Sequence, residues 1–81
     1  MKYKVKLFAL LKSKAGKSLW EHNSEEQLKA TELLERFFSE YKELEDLKKV
    51  TRLAVNQAFS NEDLLIKDTD ELALIPPVSG G

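Results

Sequence analysis

The sequence closes on Pro76-Pro77-Val78-Ser79-Gly80-Gly81, and the chemistry this ending admits is that of its own terminal carboxylate. A carboxylate is a poor acyl donor until it is joined to AMP as a mixed anhydride, whose carbonyl carbon sulfide, a thiol or an amine can attack. Two glycines carry no side chains, so the tip can thread a narrow channel and set its carbonyl against ATP or a catalytic residue of another protein. The two prolines hold the preceding stretch extended and lower the entropy lost on docking. Because proline has no amide donor, the sheet should stop at Ile75 and residues 76–81 should project as a tail from a domain spanning residues 1–75. Six extended residues reach about 20 Å. Leu72-Ala73-Leu74-Ile75 directly before them reads as a buried strand, giving an anchor, a stiff spacer and a tip. The plain alternative is a frayed terminus.

Other chemistry finds less support. His22 is the only histidine and the chain has no cysteine, so neither a thiolate zinc site nor a cysteine nucleophile can be built, and a three- or four-ligand metal site lacks partners. Asp68, Asp70 and Glu71 cluster without the glycine and terminal glutamate of an EF-hand loop, and read as a solvated turn. No Gly-x-Ser-x-Gly elbow accompanies the serines. Residues 1–17 hold six lysines and no acid, whereas residues 21–46 hold nine acids against three bases. Among Lys2, Lys4 and Lys6 only Tyr3 is an interleaved aromatic, and the formal net charge is −1, which argues against nucleic acid. These lysines read as a solvated sheet face or as a surface for an acidic protein partner.

With 81 residues, 42% hydrophobic and 33% charged, the chain has room for one domain held by apolar packing alone. No apolar run approaches the roughly 18 to 20 residues of a membrane span, and the opening residues lack a signal-peptide core, so a cytoplasmic location is expected.

The elements that must position the tail follow from periodicity. Tyr3, Val5, Leu7 and Ala9 alternate with lysines, predicting a strand over 2–10; Ser18 to His22 forms its hairpin partner. Ser24-Glu25-Glu26-Gln27 fits a helix capping box, so a helix should start there or one to two turns later. Ala30, Leu33, Leu34, Phe37, Tyr41 and Leu44 share one helical face with Phe38 at its margin. Leu28 falls off that face, so either the helix begins nearer Thr31 or Leu28 packs at its N-terminal end. Leu44, Leu47 and Val50 punctuate a charged connection. Leu53-Ala54-Val55 reads as a short strand, Asn56-Gln57 as a turn, and Ala58-Phe59 as a segment that can pair back. Turns at residues 61–63 and 67–70 flank Leu64, Leu65 and Ile66, which should fill space, before a last strand over 71–75. One mixed sheet of four to five strands on one main helix is an α+β fold, and central, adjacent first and last strands make it a β-grasp.

Three stretches carry a resemblance: Glu32-Leu33-Leu34-Glu35-Arg36-Phe37, Leu53-Ala54-Val55-Asn56-Gln57, and Asp70-Glu71-Leu72-Ala73-Leu74-Ile75 running into Pro76-Pro77-Val78-Ser79-Gly80-Gly81. Together with the opening strand they make nearly the whole chain resemble the small subunit of molybdopterin synthase, a ubiquitin-like sulfur carrier. Thr69 departs from it, standing where glycine is common, so its turn must tolerate a β-branched residue.

The resemblance implies that Gly81 is adenylated by an activating enzyme related to those of ubiquitin, with ATP consumed and no cofactor permanently held, and then converted to a thiocarboxylate. It implies that Pro76, Pro77, Val78, Ser79 and Gly80 thread into the active site of a large catalytic subunit. There, in a heterotetramer of two large and two small subunits, sulfur passes to cyclic pyranopterin monophosphate. This chain is then the donor rather than the catalyst. Phe8, Leu72, Leu74 and Ile75 are candidates for a docking surface near the exit, or for core; alternation puts Leu72 and Leu74 on one face and Ala73 and Ile75 on the other. Rival readings are a protein modifier ending on target lysines, a carrier for thiazole or tRNA thiolation, and a noncatalytic interaction module. No nucleic acid, membrane or metal is expected.

Overall fold

The structure, a computed structural model, describes residues 1–76. The expectations placed on Pro77, Val78, Ser79, Gly80 and Gly81 lie outside the described residues. Strand β1 (Lys2–Leu7) forms where lysines alternate with Tyr3, Val5 and Leu7, and those three are fully buried. It ends three residues earlier than the apolar pattern suggests. Ala9 turns the chain at a φ of 49°, and Ala9–Ala15 form helix α1, closed by Gly16 in the left-handed conformation. Leu10 and Leu11 therefore extend a helix, with Leu11 in the core and Leu10 exposed. Strand β2 (Leu19–Asn23) pairs antiparallel with β1, setting Val5 opposite Trp20 and Tyr3 opposite His22.

The main helix, α2 (Ala30–Glu40), buries Ala30, Leu33, Phe37 and Phe38, with Leu34 and Tyr41 partly buried against the same core. It starts within two turns after Ser24, and Ser24 is not its cap. That hydroxyl closes a local turn with Glu26, accepting from its N–H and donating to its carbonyl, while Glu32 Oε1 accepts from the Lys29 N–H at 2.8 Å at the true helix start. Both alternatives for Leu28 meet here: the helix begins late, and Leu28 is buried just ahead of it. The Leu28 N–H donates to the Tyr3 hydroxyl at 2.9 Å, that hydroxyl donates to the Ile66 carbonyl at 3.0 Å, and Ile66 N–H donates to the Leu28 carbonyl. A buried tyrosine thus satisfies its polar end while tying three distant segments together.

Leu44 belongs to a separate 3₁₀ helix (Lys42–Val50), which leads into β3 (Arg52–Val55). Asn56 and Gln57, both at positive φ, make the two-residue turn to β4 (Ala58–Phe59), as left-handed residues suit a hairpin of this length. Of the three residues expected to fill space, only Ile66 does; Leu64 and Leu65 are exposed. The turn holding Thr69 avoids positive φ, so its β-branch is unstrained. The last strand, β5 (Leu72–Ile75), runs parallel to β1 and antiparallel to β3 in a sheet ordered β2-β1-β5-β3-β4. The first and last strands lie side by side at its centre, with α2 over one face: the β-grasp arrangement. Among the described residues, no helix is long and apolar enough to cross a membrane.

Candidate functional site

Strand β5 ends at Ile75, directly before the Pro-Pro-Val-Ser-Gly-Gly sequence, and its neighbours on both sides define that end. Leu7 of β1 pairs with Leu74, so Phe8 follows beside Ile75; from the other side, Arg52 of β3 pairs with Ile75. Alternation decides which side chains are available there. Leu72 and Leu74 are 1% and 0% exposed and belong to the core, so they leave the docking surface for which they were candidates. Ala73 and Ile75 lie on the opposite side of the strand and are half-buried. Phe8 is 45% exposed. Pro76, expected in the projecting tail, is buried, so the folded body includes it.

Away from α2, the sheet presents a shallow hollow of about 350 Å³ whose apolar walls are Phe8, Ala54, Phe59, Ala73 and Ile75. Lys6 and Glu71 border it, joined at 3.4 Å. Phe59 is 54% exposed, and the Arg52 guanidinium lies over its ring at 4.0 Å. Two exposed phenylalanines beside an isoleucine on one face are a contiguous patch of the kind that marks an interaction surface. Phe59 and Arg52 were not anticipated as site residues. The signal was present: once Asn56-Gln57 is the turn, Ala54 must face Phe59, and Arg52, two residues before Ala54, shares that side of the sheet.

The alternating lysines occupy the same open face. Lys2 pairs with Glu21 at 3.5 Å and Lys6 with Glu71; exposed pairs of this kind contribute little stability. Asp70 is a turn residue, its two carboxylate oxygens accepting from Lys67 N–H and Asn56 Nδ2, and Asn56 Oδ1 accepts from Glu71 N–H. This network staples the β3–β4 turn to the start of β5.

His22 lies on the other face, stacked on Trp20 with ring centroids 5.2 Å apart, and its Nε2 is 3.4 Å from Arg36 Nη1. Trp20 Nε1 donates to Glu40. Partial burial, then the Arg36 charge, lower the His22 pKa from its ordinary 6.5, against a smaller opposing pull from Glu40. The unfolded chain thus takes up this proton more readily than the folded one. Stability should be full above about pH 6.5 and should decline as pH falls from there through the lower folded-state value. Unfolding in urea at pH 7.5 and 5.5 checks this: His22→Gln should lose less stability over that interval than the wild type, and an equal loss would remove His22 as the cause.

The sequence pattern of the ThiS family matches residues 5–81. The chain is 34% identical over 82 residues to the molybdopterin synthase sulfur carrier subunit of Dictyostelium discoideum, covering 98% of this chain and 95% of that protein. Among solved structures it is similar to a putative molybdopterin converting factor subunit 1 from Pyrococcus furiosus, at 27% identity and a TM-score of 0.82, covering 96% of this chain and 99% of the other. SAMP1 of Haloferax volcanii shares the fold at 24% identity and a TM-score of 0.81, over the whole of both chains. So does a complex of subunits 1 and 2 of molybdopterin-converting factor from Helicobacter pylori, at 24% identity and 0.67, again with full coverage of both chains. A match that takes in nearly the whole β-grasp domain and its Gly-Gly ending is decisive: the chain belongs to the ThiS family.

Proposed function

We propose that this chain is the sulfur-carrier subunit of a molybdopterin synthase. The observation that carries the reading is its 34% identity, over 98% of its length, to a protein named as that subunit. In the proposed sequence, a Gly81 carboxylate oxygen attacks the α-phosphate of ATP on an activating enzyme, and pyrophosphate leaves. A sulfide nucleophile then attacks the acyl carbon, the bond to AMP breaks, and a thiocarboxylate remains. Gly80 gives the tip clearance, and residues 77–79 contact the large subunit as the tail enters its active site, where the sulfur passes to cyclic pyranopterin monophosphate. The chain supplies no catalytic side chain; its role is to present an acyl group.

The open hollow of Phe8, Phe59 and Ile75 supports the same reading. It adjoins the end of β5, so a partner that receives the tail meets this face first. The experiment is intact-mass measurement after incubation with ATP, an activating enzyme proven on another carrier, and a sulfur source. A gain of about 16 Da mapping to Gly81, carboxylate becoming thiocarboxylate, is the expected result. No gain moves the function to a protein modifier, which high-mass conjugates in cell extract would reveal, or to a noncatalytic interaction module.

A further inference from the structure

Lys6, Gln57 and Glu71 border the apolar hollow, and on its Phe59 wall lies a further charged group, the Arg52 guanidinium. Arg52 is exposed, starts β3 opposite Ile75, and lies on the Phe59 ring at 4.0 Å. Among the described residues it forms no ion pair; the two pairs present join Lys2 to Glu21 and Lys6 to Glu71. A guanidinium laid on an aromatic ring is held in place by cation–π attraction while its N–H edges stay free, which lowers the entropy lost when a planar anion docks. On this face Lys2, Lys4, Lys6 and Arg52 stand against Glu21 and Glu71, leaving a surplus of positive charge carried by Lys4 and Arg52.

A partner covering the hollow takes Arg52 out of water. If it brings only apolar groups, the guanidinium is desolvated with nothing in return, a cost that can cancel the gain from burying Phe8, Phe59 and Ile75. If it brings a carboxylate, two charge-assisted hydrogen bonds replace the lost water. We infer that Arg52 is a specificity-determining contact for the large subunit of the synthase, which seats an apolar side chain in the hollow and sets an aspartate or glutamate against the Arg52 guanidinium. The inference rests on the function proposed above and adds the chemistry of the partner's contact surface.

Purified large subunit, titrated with the full chain in a calorimeter, tests it. R52E should weaken binding by roughly 30-fold or more and R52Q by roughly 10-fold. Wild-type affinity should fall with added salt more steeply than that of R52Q. K4E changes the same face by the same charge, away from the hollow, and should cost less than about 3-fold. Arg52 is exposed, so all three should melt with the wild type; if R52E does not, R52Q carries the comparison. Binding of R52E within about twofold of wild type, or equal losses for R52E and K4E, overturns the inference and leaves the proposed function standing. A wild-type chain that does not bind the large subunit overturns both.

Discussion

A Gly81→Trp chain is expected to melt with the wild type and to take up almost no sulfur. The two halves of this expectation have separate grounds. The described core runs from Tyr3 to Leu74, with Pro76 buried just beyond it, so a substitution at position 81 removes no side chain from that core. The proposed chemistry, in contrast, passes entirely through the Gly81 carboxyl. An indole on that residue widens the tip and displaces the acyl carbon from the α-phosphate of ATP, and a misplacement of about 1 Å can cost about 100-fold in rate. The rate of the gain of about 16 Da should therefore fall by 100-fold or more, measured beside a melting curve. Normal sulfur uptake by the variant would show that the chemistry does not need a side-chain-free tip at position 81. A large drop in melting temperature would mean that the end of the chain is part of the fold. Deletion of Gly81 extends the test: the terminal carboxylate moves back to Gly80 on a shorter tail, and full activity would remove Gly81 as the required acyl site.

How far the sequence could be read depended on whether local pattern and tertiary packing agreed. Tyr3, Val5 and Leu7 alternate with lysines and lie in a strand with one buried face, so period and environment coincide. Phe37 and Leu33 sit on a helical stripe facing the sheet for the same reason. At Leu10 and Leu11 the two disagree. The apolar run continues, but Ala9 at positive φ breaks the strand, and the signal for α1 was Gly16, which closes the helix in the conformation glycine adopts most readily. Ser24 carries a good capping pattern, yet Leu28 four residues later is held in an extended segment by Tyr3 and Ile66, and a helix starting at Ser24 would break those contacts. Leu64, Leu65 and Ile66 are equally apolar, and Ile66 is fixed in the core by packing and by backbone hydrogen bonds to Tyr3 and Leu28, residues far away in sequence. The candidate site divides along the same line. The split of Leu72 and Leu74 from Ala73 and Ile75 was legible in the alternation along the strand. The Arg52–Phe59 contact follows from the two-residue turn at Asn56-Gln57, which fixes the register of β3 on β4, and could be read only by combining that turn with the alternation along both strands.

Phe37→Ala should be the most damaging single truncation in the domain, and its contrast with Phe59→Ala separates the two faces of the sheet. Phe37 is fully buried at the centre of an aromatic cluster, edge-on to Trp20 at 5.1 Å and to Phe38 at 5.0 Å, with Tyr41 tilted against it at 4.8 Å. Removing the ring forfeits its own burial and leaves a cavity that three large neighbours cannot easily fill, a cost of about 3 to 5 kcal/mol. A domain of this length has a total stability of only about 4 to 12 kcal/mol at typical values per residue, and a loss of this size lowers the melting temperature by roughly 12 °C or more. Phe59 loses the same ring but is more than half exposed, so Phe59→Ala should change stability by less than about 1 kcal/mol while weakening binding of the large subunit. Urea denaturation and calorimetric titration of the two variants give four numbers. If Phe37→Ala is tolerated, α2 is not held to the sheet through this cluster. If Phe59→Ala unfolds the domain while Phe37→Ala does not, the covered and open faces have been assigned the wrong way round, and with them the surface on which a partner would receive the tail.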